Sequence, residues 1–371
     1  MDVKAFEYFM PTHMIFGPGC FEKTAELIKS IGCRKAFLVT GRDSMKKSGV
    51  IDRLSSNLSC DIIVYDGITS EPDCAMVDDC ADRSAGCDAM ILLGGGSVMD
   101  AGKVANIINT CGGSCSEYIN GKKKPGKGLP LICIPTTSGT GSEVSRVSVI
   151  KDEKAGVKRS LKDPNLHAQY AILDPQITSS MPPGVTAASG MDALTHAIES
   201  FSSIRSNHIT RIFSAEAIRK IRGNLRRAFD DGTDMDARCD MMLGSLYAGL
   251  GFSNAGNALV HGLASPIGGM TGKPHGLVCG MLLPIALRFN KERAGDVYDD
   301  LARSCGFREK EDIIEYVEWL VKHFGFPERL SDLGITGDDL DWIIGNISGS
   351  AGNNPGKPAL ADVKTMLEEM I

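Results

Sequence analysis

The feature that most constrains this chain is a change of hydrophobic period partway along its 371 residues. Short apolar runs stand at 35–40 (KAFLVT), 61–65 (DIIVY), 88–93 (DAMILL) and 129–134 (LPLICI). Runs this short and this uniformly apolar read as strands buried on both faces, and their alternation with helical stretches makes the sheet parallel and doubly wound. Helices are expected from about Met45 and across 71–84, while 6–16 alternates enough to form a strand or hairpin of its own. After 174–183 (DPQITSSMPP) strand-like runs nearly vanish. Helical spacing then dominates at 186–201, 211–229, 235–249, 278–290, 311–324 and 337–347. A chain of this length exceeds one hydrophobic core. The expectation is an α/β N-terminal domain with a parallel sheet over residues 1–178 and an all-helical C-terminal domain over 179–371.

Composition excludes several classes of partner. A formal charge of −6 argues against nucleic acid and against an anionic membrane surface. No secretory pattern opens the chain, where residues 1–5 run into a β-like stretch, and no apolar run reaches bilayer length. A soluble cytoplasmic protein is expected. The 12 cysteines contain no C-x-x-C pair, so zinc ribbons and iron–sulfur clusters find no support. Cys111 and Cys115 (CGGSC) are the nearest thing to a metal pair, but the set reads as reduced thiols used as small apolar residues. The basic loop at 121–128 (GKKKPGKG) reads as a solvated turn.

Two clusters follow strands in the first domain. Gly94-Gly95-Gly96-Ser97 lies directly after the third apolar run, and helical character resumes at Val98. A strand, glycine turn and helix start aims backbone N–H groups at phosphate oxygens, and Ser97 can cap the helix or donate to phosphate. The form is G-G-G-S-x-x-D, with Asp100, rather than the dinucleotide fingerprint G-x-G-x-x-G. The second cluster, PTTSGTGSE at 135–143, packs hydroxyls and glycines at the carboxyl end of a strand, where α/β folds bind ligands. Either could also be a structural turn.

In the second domain, Asp192 and His196 are four apart on a helix, so both project from one face. Taken alone, such a pair more often decorates a helix surface than binds a metal. His261 and His275 follow, beside glycines and small residues, while His13, His167, His208 and His323 read as ordinary histidines. One carboxylate with three imidazoles would be a harder donor set than a cysteine site; it suits Fe²⁺ and admits Zn²⁺.

Together these segments resemble the iron-containing alcohol dehydrogenase family, which has a dehydroquinate-synthase-like fold. The matching stretches are GGGSVMD (94–100), PTTSGTGSEV (135–144), D-P-x-x-T-x-x-M-P-P from Asp174, GMDALTHAIE (190–199), NALVHGLASPIGG (257–269) and GKPHGLVCGMLLP (272–284). They fall in the family's order and span essentially the whole chain. The resemblance implies a dinucleotide-binding N-terminal domain, a helical metal-binding domain and a cleft between them, in a homodimer or larger homo-oligomer. It makes Asp192, His196, His261 and His275 the metal ligands and catalytic centre. It assigns Gly94, Gly95, Gly96, Ser97 and Asp100 to the cofactor diphosphate. Thr136, Thr137, Thr140 and Ser145 fall near nicotinamide and ribose, and Lys158 reaches the ribose.

Two positions depart from the family pattern. Members that prefer NAD(H) tend to carry an acid where this chain has Gly41, followed by Arg42, Ser44, Lys46 and Lys47. Losing the acid and gaining basic and hydroxyl groups favours a 2′-phosphate, so NADP(H) is expected over NAD(H), with Gly41 and Ser44 as cofactor-binding residues. Ser265 stands where many members have a histidine proposed to relay protons, which leaves the metal ligands intact and puts that relay in doubt. The implied reaction is metal-dependent hydride transfer between the nicotinamide cofactor and a small alcohol or aldehyde. Rival readings on the same scaffold are a zinc polyol dehydrogenase, a hydroxyacid–oxoacid transhydrogenase and a dehydroquinate-synthase-type lyase. A non-catalytic nucleotide-binding protein fits four intact ligands least well.

Overall fold

The computed structural model describes residues 5–371, so the first four residues of the opening stretch lie outside it. The chain forms two units. One comprises Met10–Met181 and Gly232–Met242; the other comprises residues 5–9, Pro182–Asp231 and Leu243–Ile371.

The first unit holds strands β1 (His13–Phe16), β2 (Lys35–Gly41), β3 (Asp61–Ile68), β4 (Ala89–Gly94), β5 (Leu131–Pro135), β6 (Val147–Asp152), β7 (Val157–Lys162) and β8 (Tyr170–Leu173). Six of them make one sheet in the order β1-β8-β5-β4-β2-β3, with every pairing parallel. Successive residues of a strand point to opposite faces. Accordingly Phe37, Val39, Met90, Leu92 and Cys133 join one apolar cluster, while Ala36, Leu38, Ile91, Leu93 and Ile132 join another. Both faces are covered, which is why these strands read as continuous apolar runs rather than as alternating ones.

The opening stretch forms no hairpin: His13–Phe16 is an edge strand paired in parallel with β8. Among the strands, two features have no counterpart in the sequence reading. One is β8, whose four residues are too short to show a period. The other is the antiparallel β6–β7 hairpin, whose charged residues (Lys151, Lys158, Arg159) hide its strand character.

Two short segments group with the unit other than the one their neighbours in sequence form. Tyr8 donates to the Leu250 carbonyl and Phe9 N–H to Asn254 Oδ1, which places residues 5–9 with the helical unit. Arg238, almost wholly buried, donates to the carbonyls of Gly232 at 3.0 Å and Met181 at 3.3 Å, which ties Gly232–Met242 to the sheet unit. All 12 cysteines are free thiols. Among the described residues, no helix is long and apolar enough to cross a membrane.

Candidate functional site

Three helices of the second unit carry Asp192, His196, His261 and His275, and each helix has a local reason to be where it is. Pro183–Ser202 starts with proline at its first position, where the missing N–H costs nothing. Asp192, His196 and Glu199 follow at i, i+4 and i+7, on one face. Leu259–Thr271 carries His261 and contains Pro266, which cannot donate to the Gly262 carbonyl. The Ser348 N–H bonds that carbonyl at 3.1 Å, so the helix continues through its proline. His275 is the first residue of His275–Arg293. Its neighbour Gly276 lies so close to Pro183–Ser202 that an added Cβ would fall 2.0 Å from the Ala188 carbonyl oxygen and 3.0 Å from Asp192 Cβ. Only glycine permits that approach.

The four side chains meet at Asp192. His196 Nε2 is 3.6 Å from Asp192 Oδ2, and His261 Nε2 and His275 Nε2 are 3.5 and 3.8 Å from Oδ1. Asp192, His196 and His261 are buried, and the His275 side chain is 38% exposed, so the cluster opens to solvent on the His275 side. Asp192 Oδ1 and His261 Nε2 are buried without a hydrogen-bond partner. Leaving such a group unsatisfied costs about 1–3 kcal/mol, a cost that a cation between them removes.

The far nitrogens are held as metal-binding imidazoles require. His261 Nδ1 lies 2.6 Å from Glu199 Oε2, and His196 Nδ1 lies 3.0 Å from Asn257 Oδ1. Each partner is an acceptor, which puts a proton on Nδ1 and turns Nε2 toward Asp192. Glu199 also accepts the N–H groups of Ala258 (2.8 Å) and Val260 (2.6 Å), so one carboxylate caps the His261 helix and orients its histidine. Burial alone would raise the Asp192 carboxyl; the imidazoles, His196 foremost, outweigh it and hold it well below the usual range. Burial alone would lower His261; Glu199 and Asp192 outweigh it and lift the imidazole to about 9.

The residues expected to meet a cofactor gather in the sheet unit, and the glycines show why. A Cβ on Gly96 would fall 2.6 Å from Thr140 Cγ2, and one on Gly95 would fall 3.3 Å from Thr137 Oγ1. The glycine turn therefore lies against the 135–143 loop. Gly95 is the N-cap of Gly96–Cys111 and no side chain caps that helix, so its first N–H groups can take an anion. Thr136 N–H donates to the Gly94 carbonyl at 3.1 Å, and Thr140 Oγ1 accepts the Ser142 N–H at 3.3 Å. Ser97 does not cap the helix; its hydroxyl donates to the Ser70 carbonyl at 2.7 Å. Asp100 accepts from Ser142 Oγ at 2.7 Å and from Val149 N–H at 2.9 Å. Lys158 pairs with Glu71 at 2.7 Å. Gly41 ends β2 at a register shift, and the exposed Ser44 opens the short helix Ser44–Lys47.

Four residues of these sites escape the sequence reading: Glu199, Asn257, Cys279 and Lys103. Glu199 stands in GMDALTHAIE, and its i+7 spacing from Asp192 was the available signal. Lys103 is fully buried, with Nζ 2.8 Å from Ser142 Oγ and 3.0 and 3.1 Å from the carbonyls of Ser145 and Val147. It pins the hydroxyl-rich loop from beneath. Cys279, a turn after His275, places Sγ 3.5 Å from His275 Nε2.

Comparison with known proteins covers the whole chain. The family description "Iron-containing alcohol dehydrogenase" matches residues 11–175, and "Fe-containing alcohol dehydrogenase family, C-terminal" matches 186–371. The chain is 32% identical to alcohol dehydrogenase 4 of Schizosaccharomyces pombe, over 99% of this chain and 89% of that protein. It is 33% identical to 1,3-propanediol dehydrogenase of Citrobacter freundii, over 96% of each. Among solved structures, sulfoacetaldehyde reductase of Bifidobacterium kashiwanohense in complex with NAD⁺ superposes with a TM-score of 0.93 at 30% identity, over 99% of each chain.

Glu199→Gln keeps an acceptor for the backbone but removes the charge behind His261, and it should weaken metal affinity about 10–100-fold. Chelator competition with metal analysis reads this; unchanged affinity would mean that Glu199 does not tune the cluster. A second prediction concerns the buried Glu143, whose carboxyl burial pushes up from 4.5 to about 6 against the opposing pull of its own N–H and Lys103. The folded state then holds this proton more tightly than the unfolded chain. The contribution is fully present below pH 4.5 and lost as pH rises through 6, about 2 kcal/mol in all. Urea unfolding should therefore show Glu143→Gln gaining on the wild type between pH 4 and 7; a difference flat with pH would contradict the assignment.

Proposed function

The chain belongs to the iron-containing alcohol dehydrogenase family and is an alcohol/aldehyde oxidoreductase, and we propose that it works as an NADP(H)-preferring aldehyde reductase at a metal held by Asp192, His196, His261 and His275. The observation that carries this reading is the buried convergence of one carboxylate and three imidazoles, with Asp192 Oδ1 and His261 Nε2 left without partners. The donor set suits Fe²⁺ and admits Zn²⁺. When bound, the metal supplies Lewis-acid polarisation of the substrate oxygen and the nicotinamide supplies the hydride.

The chain's own residues do the positioning. Glu199 and Asn257 fix the tautomers and planes of His261 and His196. Phe252 stacks on His196 with ring centroids 4.2 Å apart and excludes water from that side of the cluster. Substrate enters on the exposed His275 side. Ser265 lies half-buried a turn beyond His261, and with serine there the alcohol proton travels by water rather than by a histidine.

In this reading residues 1–178 are the dinucleotide-binding domain and 179–371 the metal-binding domain, apart from residues 5–9, which group with the latter, and Gly232–Met242, which group with the former. The Gly94–Gly96 turn, the helix start at Gly96 and the loop Thr136, Thr137 and Thr140 receive the cofactor, with Lys103 and Asp100 holding that loop in shape. The adenosine end carries Gly41, Arg42, Ser44 and Lys47. Lys46 is paired with Asp66 and Lys47 lies 4.0 Å from Asp43, so Arg42 and the Ser44 hydroxyl and N–H are the principal donors to a 2′-phosphate. The exposed apolar side chains Phe6, Phe9 and Ile212 of the helical unit support self-association, at least as a homodimer, in the cytoplasm.

The test is anaerobic oxidation of NADPH and NADH with a panel of small aldehydes, on Fe²⁺-loaded and Zn²⁺-loaded protein. NADPH should exceed NADH in kcat/KM by about 10- to 100-fold, the worth of one or two charge-assisted bonds to the extra phosphate. His261→Ala should lose both bound metal and turnover. Faster turnover with NADH would overturn the cofactor assignment alone; full activity in metal-free His261→Ala would overturn the centre.

A further inference from the structure

The cluster at Asp192 holds one donor more than the four residues above. Asp192, His261, His275 and Cys279 each offer one ligand atom, and these atoms all lie within 4.8 Å of one another. Cys279 is fully buried, one turn after His275 on the same helix, so its thiol faces the imidazoles rather than solvent. For a tetrahedral ion with M–N about 2.0–2.1 Å and M–S about 2.3 Å, nitrogen and sulfur ligands stand about 3.5 Å apart. The Cys279 Sγ to His275 Nε2 distance is 3.5 Å. Independently of the cysteine, Asp192 Oδ1 and His261 Nε2 are buried, unpartnered and aimed into the same space. His196 addresses the other carboxylate oxygen, Oδ2, at 3.6 Å.

We propose that Cys279 is a ligand of this centre for thiophilic divalent ions, completing with Asp192, His261 and His275 a tetrahedral O, N, N, S set for Zn²⁺. Two donor sets then overlap on one carboxylate and two imidazoles. A hard ion such as Fe²⁺ takes His196 as its remaining ligand; Zn²⁺ takes the Cys279 sulfur. The thiol loses its proton to solvent as zinc binds, with no change of oxidation state. The choice of ion thereby changes which side chain stands at the centre and how much negative charge it carries. This inference rests on the metal-centre reading proposed above.

The experiment is zinc K-edge X-ray absorption on the full-length protein loaded with Zn²⁺ alone, together with metal analysis. The expected result is about one zinc per chain with one sulfur scatterer near 2.3 Å. That scatterer should vanish in Cys279→Ala and be replaced by oxygen or nitrogen in Cys279→Ser, while both variants still bind Fe²⁺. Zinc retained with only nitrogen and oxygen neighbours would overturn the role of Cys279 and leave the centre standing. A sulfur scatterer that survives both substitutions would also overturn it. A wild-type protein that retains no metal would overturn the centre and this inference together.

Discussion

A carboxylate buried among three imidazoles is the constraint on which the rest of the helical unit turns. Asp192 is about 3% exposed and no backbone N–H is aimed at its Oδ1. Taking such a group out of water is unfavourable unless positive charge compensates it, either as protonated histidine or as a metal ion. Glu199 and Asn257 occupy the outer nitrogens of His261 and His196 with acceptors, so it is the inner nitrogens that turn toward Asp192, where a metal ion can replace their protons. A site wired in this way suits a cation.

Bringing the four donors together depends on backbone contacts that look unrelated to chemistry. Gly276 lets the His275 helix touch the Asp192 helix where any side chain would collide with the Ala188 carbonyl. Ser348 replaces the hydrogen bond that Pro266 cannot give, so the His261 helix does not break just beyond its ligand. Glu199 serves twice, capping the start of that helix and orienting His261. In the sheet unit Lys103 has the matching role. Its buried ammonium gathers the Ser142, Ser145 and Val147 oxygens and so shapes the loop that faces the glycine turn.

What could be read from the sequence was what local chemistry determines. The runs that became β2, β4 and β5 were legible because burial on both faces leaves few polar residues in them, the edge strand β3 by its short apolar run, and the glycine turn because it follows one of them directly. The Asp192–His196 pair showed itself by helical spacing, and the resemblance added His261 and His275. The His261 helix was not legible, since Pro266 and three glycines argue against a helix unless a distant N–H such as that of Ser348 is known. Glu199 was in plain view but its role requires residues 258–261 beside it. Cys279 read as one small apolar residue among 12 cysteines, because only the fold turns its sulfur toward His275. The β6–β7 hairpin stayed hidden behind its charges, and β8 behind its brevity.

The most direct test of the central claim is an anomalous difference map at the iron edge, from crystals grown anaerobically with Fe²⁺. A single strong peak per chain is predicted, in contact with Asp192, His196, His261 and His275 and with no comparable peak elsewhere. A peak among other residues, or none in crystals whose solution retained iron, would contradict the claim that these four side chains form the metal centre.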